Sequence, residues 1–166
     1  MSEKKTVDAA ARDWFADPPQ RRLGVLGLFE LDTDPSKFLI VCRAYGDGAW
    51  GLPGGAAAPN ELPRDTLVRV TEEKLGLRLS AARRLLTDYV PVSNTSFEGH
   101  NEVFHGVVPE HRLLTLAGGY TEHRFVTVME AQEWLKGHQL RRFEQAVKAL
   151  REGTVGELVL GRPVRW

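Results

Sequence analysis

The sequence predicts an α+β fold, in which a β-sheet lies between helices as an α/β/α sandwich. Short apolar and β-branched runs separated by turn residues predict strands. One helical pattern interrupts these runs in mid-chain, and two more follow towards the end. With 166 residues, of which 42% are hydrophobic, the chain is long enough for one domain with its own core. We expect residues 22–166 to form this domain and residues 1–21 to be an N-terminal extension.

The start of the chain predicts a short helix followed by a β-hairpin. The helix is expected over Val7–Phe15, and Pro18 and Pro19 prevent its continuation. Two apolar runs, Leu23–Leu31 and Lys37–Arg43, then flank a turn that contains Asp and Pro. Two such runs joined by a turn predict a pair of antiparallel strands.

A helix over residues 62–75 is the strongest prediction in the middle of the chain. Pro63 suits the first helical turn, and Gly76 suits the position just after the last turn. Apolar side chains recur at helical spacing and predict the face that is packed on the core. This face consists of Leu67, Val68, Thr71 and Leu75.

The second half of the chain predicts three strands, two helices and a final strand or hairpin. The strands are rich in β-branched residues, and Gly161 suits the turn of the hairpin. In chain order these elements are strands over Arg84–Val92, Glu102–Val108 and Arg124–Val128, helices over 130–136 and 141–152, and the hairpin Glu157–Val164.

Composition excludes several classes of protein. Lys and Arg together number 22, as do Asp and Glu, so the formal net charge is 0 and a dedicated nucleic-acid binder is not expected. Cys42 is the single cysteine, which excludes an internal disulfide and a cysteine-rich zinc site. It follows an apolar run and is expected to be buried and inert. No apolar run approaches the ~20 residues that span a membrane, and no signal peptide is recognisable. We therefore expect a cytoplasmic protein without a membrane partner.

The segment Trp50–Glu61 and the helix after it carry the chemistry. Its glycines let the backbone approach a bound ion or phosphate closely, and the helix follows with charged side chains that include Arg69 and Glu73. Magnesium takes oxygen ligands and usually bridges to the phosphates of a substrate. A glycine loop before such a helix therefore indicates a phosphate or metal site, although many loops of this kind are purely structural.

The spacing within this segment resembles the Nudix box, G-x5-E-x7-R-E-U-x-E-E-x-G-U, where U is a bulky aliphatic residue. Counted from Gly55, the matching positions are Glu61, Arg69, Glu73, Gly76 and Leu77. Two glutamates of the box are missing, because Val70 and Lys74 stand at their positions.

The resemblance implies a Nudix-type sandwich with a mixed central sheet and an enzyme that hydrolyses a nucleoside diphosphate linked to another moiety. Mg²⁺ or Mn²⁺ is the implied cofactor, with the Gly54 carbonyl and Glu73 as its ligands. Arg69, Glu73 and Glu122 are the implied catalytic residues. Gly55 and Lys74 are expected to contact the nucleotide-like substrate, since an ammonium group attracts phosphate.

The two departures leave other functions open. A Nudix-fold module that binds nucleotides with impaired catalysis explains Val70 and Lys74 directly, and a protein-interaction scaffold is a third alternative. Glu72 is a neighbouring carboxylate, but it lies about 100° from Glu73 around the helix, on the side away from Val70. It replaces the missing glutamates only if the helix shifts its register. A homodimer also stays open.

Overall fold

A computed structural model describes residues 20–44, 48–79, 82–109 and 113–165. Within them the chain forms nine strands and three helices. The predicted helix Val7–Phe15 lies outside the described residues. The strands are β1 Arg22–Leu31, β2 Asp34–Arg43, β3 Trp50–Gly51, β4 Gly54–Ala56, β5 Arg83–Val90, β6 Gly99–Val108, β7 Tyr120–Val126, β8 Gly156–Val159 and β9 Arg162–Pro163; the helices are α1 Pro63–Leu75, α2 Val128–Trp134 and α3 Gly137–Glu152.

The described strands form one mixed sheet. Its order is β3-β2-β1-β6-β5-β8-β9, with β4 paired to β1 and β7 paired to β2. The β1–β6 and β5–β8 pairs are parallel, and the other pairs are antiparallel. The predicted hairpins of β1 with β2 and of β8 with β9 are both present.

Two hydrophobic clusters cover the two faces of the sheet, because successive side chains of a strand point to opposite faces. On one face, α1 packs through Leu67 and Leu75 against Val25 of β1 and Leu39 of β2. On the other face α2 and α3 pack, with Phe143 of α3 in the core. This arrangement confirms the predicted α/β/α sandwich around a mixed sheet.

Helix α1 has the predicted boundaries. Pro63 lies in its first turn, and Gly76 ends it in the left-handed conformation, with φ of 66°. The predicted core face is correct except for Val68, which is only half-buried. Val70 is buried instead, because it faces Gly55, where the missing side chain leaves room for a valine methyl.

Several other element boundaries differ from the prediction. β7 begins at Tyr120 rather than Arg124, because its polar first half is held by backbone pairing with β2. α3 begins at Gly137 rather than 141, since its first turn is polar and carries no apolar period. Cys42 is half-buried rather than fully buried. Within the described ranges, no helix is both long enough and apolar enough to span a membrane.

Candidate functional site

The segment Trp50–Glu61, called the glycine loop below, contacts α1 at β4. Gly55 pairs with Val25 of β1, which places the loop at the centre of the sheet. A Cβ atom at Gly54 would collide with the Val25 carbonyl oxygen, and one at Gly55 would lie 2.7 Å from Cγ1 of Val70. Both positions therefore need glycine, and the loop backbone lies directly against the helix.

Glu61 joins the loop to α1. Its carboxylate accepts two hydrogen bonds from Arg69, at 2.7 Å and 2.9 Å, and one each from the Ala58 amide and the Thr66 hydroxyl. The Arg69 hydrogen bond, followed by the Ala58 amide, lowers the pKa of Glu61 to about 2. Glu61 is thus an ionised anchor that fixes the start of the helix.

Glu73 contacts Arg69, four positions before it on the helix, on the outside of the molecule. Its Oε2 lies 3.2 Å from Nη1 of Arg69, and its side chain is 58% exposed. Arg69 makes its shorter contacts with Glu61. Glu72 is also exposed and lines the same shallow surface depression as Arg69 and Glu73. The helix therefore presents both glutamates to solvent.

Lys74 turns inward and reaches the glycine loop. Its Nζ donates to the Gly54 carbonyl oxygen at 3.0 Å and lies 5.2 Å from the centre of the Tyr120 ring. The Tyr120 hydroxyl also donates to the Gly54 oxygen, at 2.9 Å, and accepts from the Gly54 amide. Burial lowers the pKa of Lys74 below its ordinary value, against a raising effect of Glu73.

These residues do not fit a divalent cation. A carbonyl oxygen has two lone pairs, and Lys74 and Tyr120 donate to that of Gly54. Val70 presents a methyl group to Gly55 at the position where the Nudix box has a glutamate. In the described part of the chain, no three His, Cys, Asp or Glu side chains are grouped as a metal site requires. The geometry therefore disagrees with the implied metal ligands, Gly54 and Glu73.

A cavity of about 620 Å³ lies against the glycine loop. Gly54, Gly55 and Tyr120 form part of its wall. Four basic side chains also line it, and its described lining residues include no Asp or Glu. The basic side chains are Arg22, Arg43, His138 and Arg142.

Arg142 is held in the cavity wall by a buried carboxylate. Its Nε lies 2.6 Å from Oδ2 of Asp88, and both side chains are almost completely buried. The other oxygen of Asp88 accepts from the Gly161 amide. Burial lowers the pKa of Arg142, which Asp88 opposes, and burial followed by Arg142 lowers the pKa of His138. His138 is therefore neutral at neutral pH, whereas Arg142 keeps its charge.

The sequence prediction did not include the basic cavity residues. Arg22, Arg43 and Arg142 come from β1, β2 and α3 and share no local spacing that would reveal a site. Asp88 could have indicated a buried basic partner, because it is a single carboxylate within the apolar strand Leu85–Val90. Glu122 is exposed on β7, opposite Cys42 of β2, and is not a lining residue of this cavity.

Comparison with known proteins agrees with this fold. The NUDIX domain of Shewanella oneidensis NrtR, solved in complex with ADP ribose, is 19% identical with a TM-score of 0.69, covering 87% of this chain and 99% of that one. The E. coli ORF135 protein is 25% identical with a TM-score of 0.64, covering 81% and 94%. A C. elegans Ap4A hydrolase is 13% identical with a TM-score of 0.63, covering 80% and 98%.

No curated protein sequence shows significant similarity to this chain. The family model described as NUDIX domain matches residues 18–151. This match includes the glycine loop, α1 and β7, and it covers most of the chain. The chain therefore belongs to the Nudix family.

Proposed function

We propose that this Nudix domain binds a nucleotide-like ligand with a diphosphate group and has little metal-dependent hydrolytic activity. The observation that carries the proposal is the charge of the cavity, which is lined by Arg22 and Arg43 together with the Asp88-paired Arg142 and, among its described residues, by no carboxylate. Arginine presents several N–H donors in a planar fork that suits phosphate oxygens. Such a wall attracts the phosphates directly and needs no metal to offset acidic side chains.

The other lining residues suit the remainder of such a ligand. Ser93, Thr95 and Ser96 supply hydroxyl groups, and Leu26 and Val90 supply apolar surface. Ligand sites commonly combine apolar walls with a few polar groups that set orientation. One arginine is oriented in advance, because Nη1 of Arg22 donates to Asn101 at 2.9 Å.

Hydrolysis of a nucleoside diphosphate linked to another moiety is the second candidate function. The contact of Arg69 with Glu73 favours it, since both residues occupy matching positions of the Nudix box. This alternative includes a divalent metal as cofactor and a catalytic role for Glu122. It requires a rearrangement of Lys74, which now donates to the Gly54 oxygen.

Calorimetric titration with ADP-ribose and Ap4A tests the binding function. We expect saturable binding that weakens about tenfold or more when Arg22 or Arg43 is changed to Ala, because each loses a charge-assisted contact. Arg151→Ala is the matched control, since Arg151 is exposed on α3 and does not line the cavity.

Product analysis on the same samples with Mg²⁺ or Mn²⁺ tests hydrolysis. Rapid metal-dependent turnover would contradict the binding function and support hydrolysis instead. If no phosphorylated ligand binds and none is hydrolysed, the interaction scaffold becomes the better interpretation.

A further inference from the structure

The Gly54 carbonyl oxygen already has a cation beside it. The Lys74 ammonium lies 3.0 Å from this oxygen, and the Tyr120 hydroxyl donates to it from another direction. The resemblance to the Nudix box implies that the same oxygen would be a ligand of a divalent metal. At this position the chain therefore supplies positive charge from its own side chain.

The surroundings of Lys74 are built to hold that side chain. A Cβ at Gly118 would lie 2.7 Å from Cγ of Lys74, so the lysine stem passes over a bare glycine backbone. The ring of Tyr120 lies 5.2 Å from Nζ, within the range of a cation–π interaction. The ammonium group is thus held in place by contacts on several sides.

The ammonium lies behind the wall of the basic cavity. Gly54 and Tyr120, which contact it, are both lining residues. Gly55 is a third lining residue, and a Cβ there would lie only 3.5 Å from Nζ. The ammonium and the cavity therefore share Gly54, Gly55 and Tyr120 as neighbours.

We propose that the Lys74 ammonium replaces the divalent cation of this site, so that a diphosphate ligand binds without metal. The inference rests on the proposed function, because it assumes an anionic ligand in the cavity. A lysine ammonium is a compact point charge that neutralises phosphate. It does not activate a water molecule as a bound metal does, so the replacement favours binding over hydrolysis.

Ligand affinity measured with and without metal tests this replacement. We expect wild-type protein to bind ADP-ribose with affinities that agree within about twofold in EDTA and in Mg²⁺. The reason is that the site offers the metal no free set of oxygen ligands. Lys74→Met should weaken binding about tenfold in both buffers, and Lys74→Arg should retain more of the affinity. Lys148→Met, on the exposed side of α3, is the control. An affinity that depends strongly on Mg²⁺ would overturn the inference.

A second measurement needs no nucleotide. Mn²⁺ broadens the NMR signals of nearby nuclei, so the amide signals of Gly54 and Gly55 report on a metal at the loop. We expect no selective broadening in the wild type and selective broadening in Lys74→Glu, in which the ammonium is replaced by an oxygen ligand. Lys148→Glu makes the same change of charge elsewhere and should behave like the wild type.

The outcomes separate this inference from the proposed function. If ADP-ribose and Ap4A bind in neither buffer, the binding function fails, and the Mn²⁺ titration still decides whether Lys74 excludes metal. If they bind only with Mg²⁺, the binding function stands and the replacement fails. Selective broadening at Gly54 and Gly55 in the wild type also contradicts the replacement. Circular dichroism checks that each variant is folded, and Lys74→Gln, whose amide oxygen is also an oxygen ligand, serves in the titration if Lys74→Glu is not folded.

Discussion

Glu61 shows how a single ionised residue can position a whole helix. It accepts from the loop through Ala58 and from α1 through Thr66 and Arg69. The carboxylate is the charged partner in all three contacts, so its protonation weakens them together. The geometry favours a structural role for Glu61, because both of its carboxylate oxygens are engaged within the chain.

Glu61→Gln should destabilise the protein in a pH-dependent manner. The folded-state pKa of about 2 lies below the ordinary value of 4.5, so ionised Glu61 stabilises the fold above about pH 4.5. This contribution is lost as the pH falls towards about 2. The melting temperatures of wild type and variant should therefore differ most at pH 7 and converge as the pH falls from about 4.5 towards about 2. Glu152→Gln, at an exposed position of α3, should show no such convergence.

A substitution of Glu73 distinguishes the two candidate functions, because only hydrolysis depends on this side chain. It is 58% exposed and forms an ion pair with Arg69, and exposed pairs contribute about 0.2–1 kcal/mol. Glu73→Gln should therefore keep the free energy of unfolding within about 1 kcal/mol and leave ADP-ribose affinity nearly unchanged. Chemical denaturation and calorimetry measure the two quantities. Metal-dependent turnover that disappears in this variant would instead support the hydrolase.

At the scale of elements, the sequence predicts best where local signals agree. Helix α1 is predicted almost to the residue, because Pro63, Gly76 and the apolar period indicate the same boundaries. Strands β3 and β4 have two and three residues, and they are set by pairing with distant strands. No local propensity reveals so short a strand in a segment rich in glycine and proline.

In the candidate site, too, the sequence predicts local contacts but not contacts between distant parts of the chain. The contact of Arg69 with Glu73 is local, four positions apart on one helix, and helix geometry predicts it. Lys74 reaches a carbonyl 20 positions away, and Arg142 reaches a carboxylate 54 positions away. These contacts depend on how α1 and α3 pack on the sheet, which the sequence pattern does not specify.

The pairing of α3 with β5 gives a prediction for these elements. Arg142→Leu leaves the Asp88 carboxylate buried without its ion-pair partner, and breaking a buried pair costs about 3–5 kcal/mol. Denaturant unfolding should show a loss in this range, with Arg151→Leu as an exposed control within about 0.5 kcal/mol. Adding Asp88→Asn to Arg142→Leu removes the buried charge while an amide oxygen can still accept from Gly161. The double variant should therefore recover part of the loss, and no recovery would mean that packing of Arg142 dominates.

At the scale of the whole molecule, charge is balanced overall but not locally. The formal net charge is 0, which disfavours nucleic-acid binding but does not describe how the charge is distributed. The structure collects three arginines around one cavity and leaves acidic side chains such as Glu72 and Glu73 on the outer face of α1. A neutral chain can therefore still attract a small anion at one place on its surface.

This local charge predicts how salt affects binding. Electrostatic attraction is screened over about 10 Å at 0.1 M salt and about 3 Å at 1 M salt. ADP-ribose affinity should therefore fall several-fold between these concentrations, whereas the affinity for uncharged adenosine should change little. Because the net charge is 0, the molecule as a whole does not attract the anion, and we expect such a loss to come from the cavity residues. Calorimetry on wild type, Arg43→Ala and the exposed control Arg151→Ala tests this, with the smallest salt effect expected for Arg43→Ala. Equal salt dependence in all three proteins would place the anion outside the basic cavity.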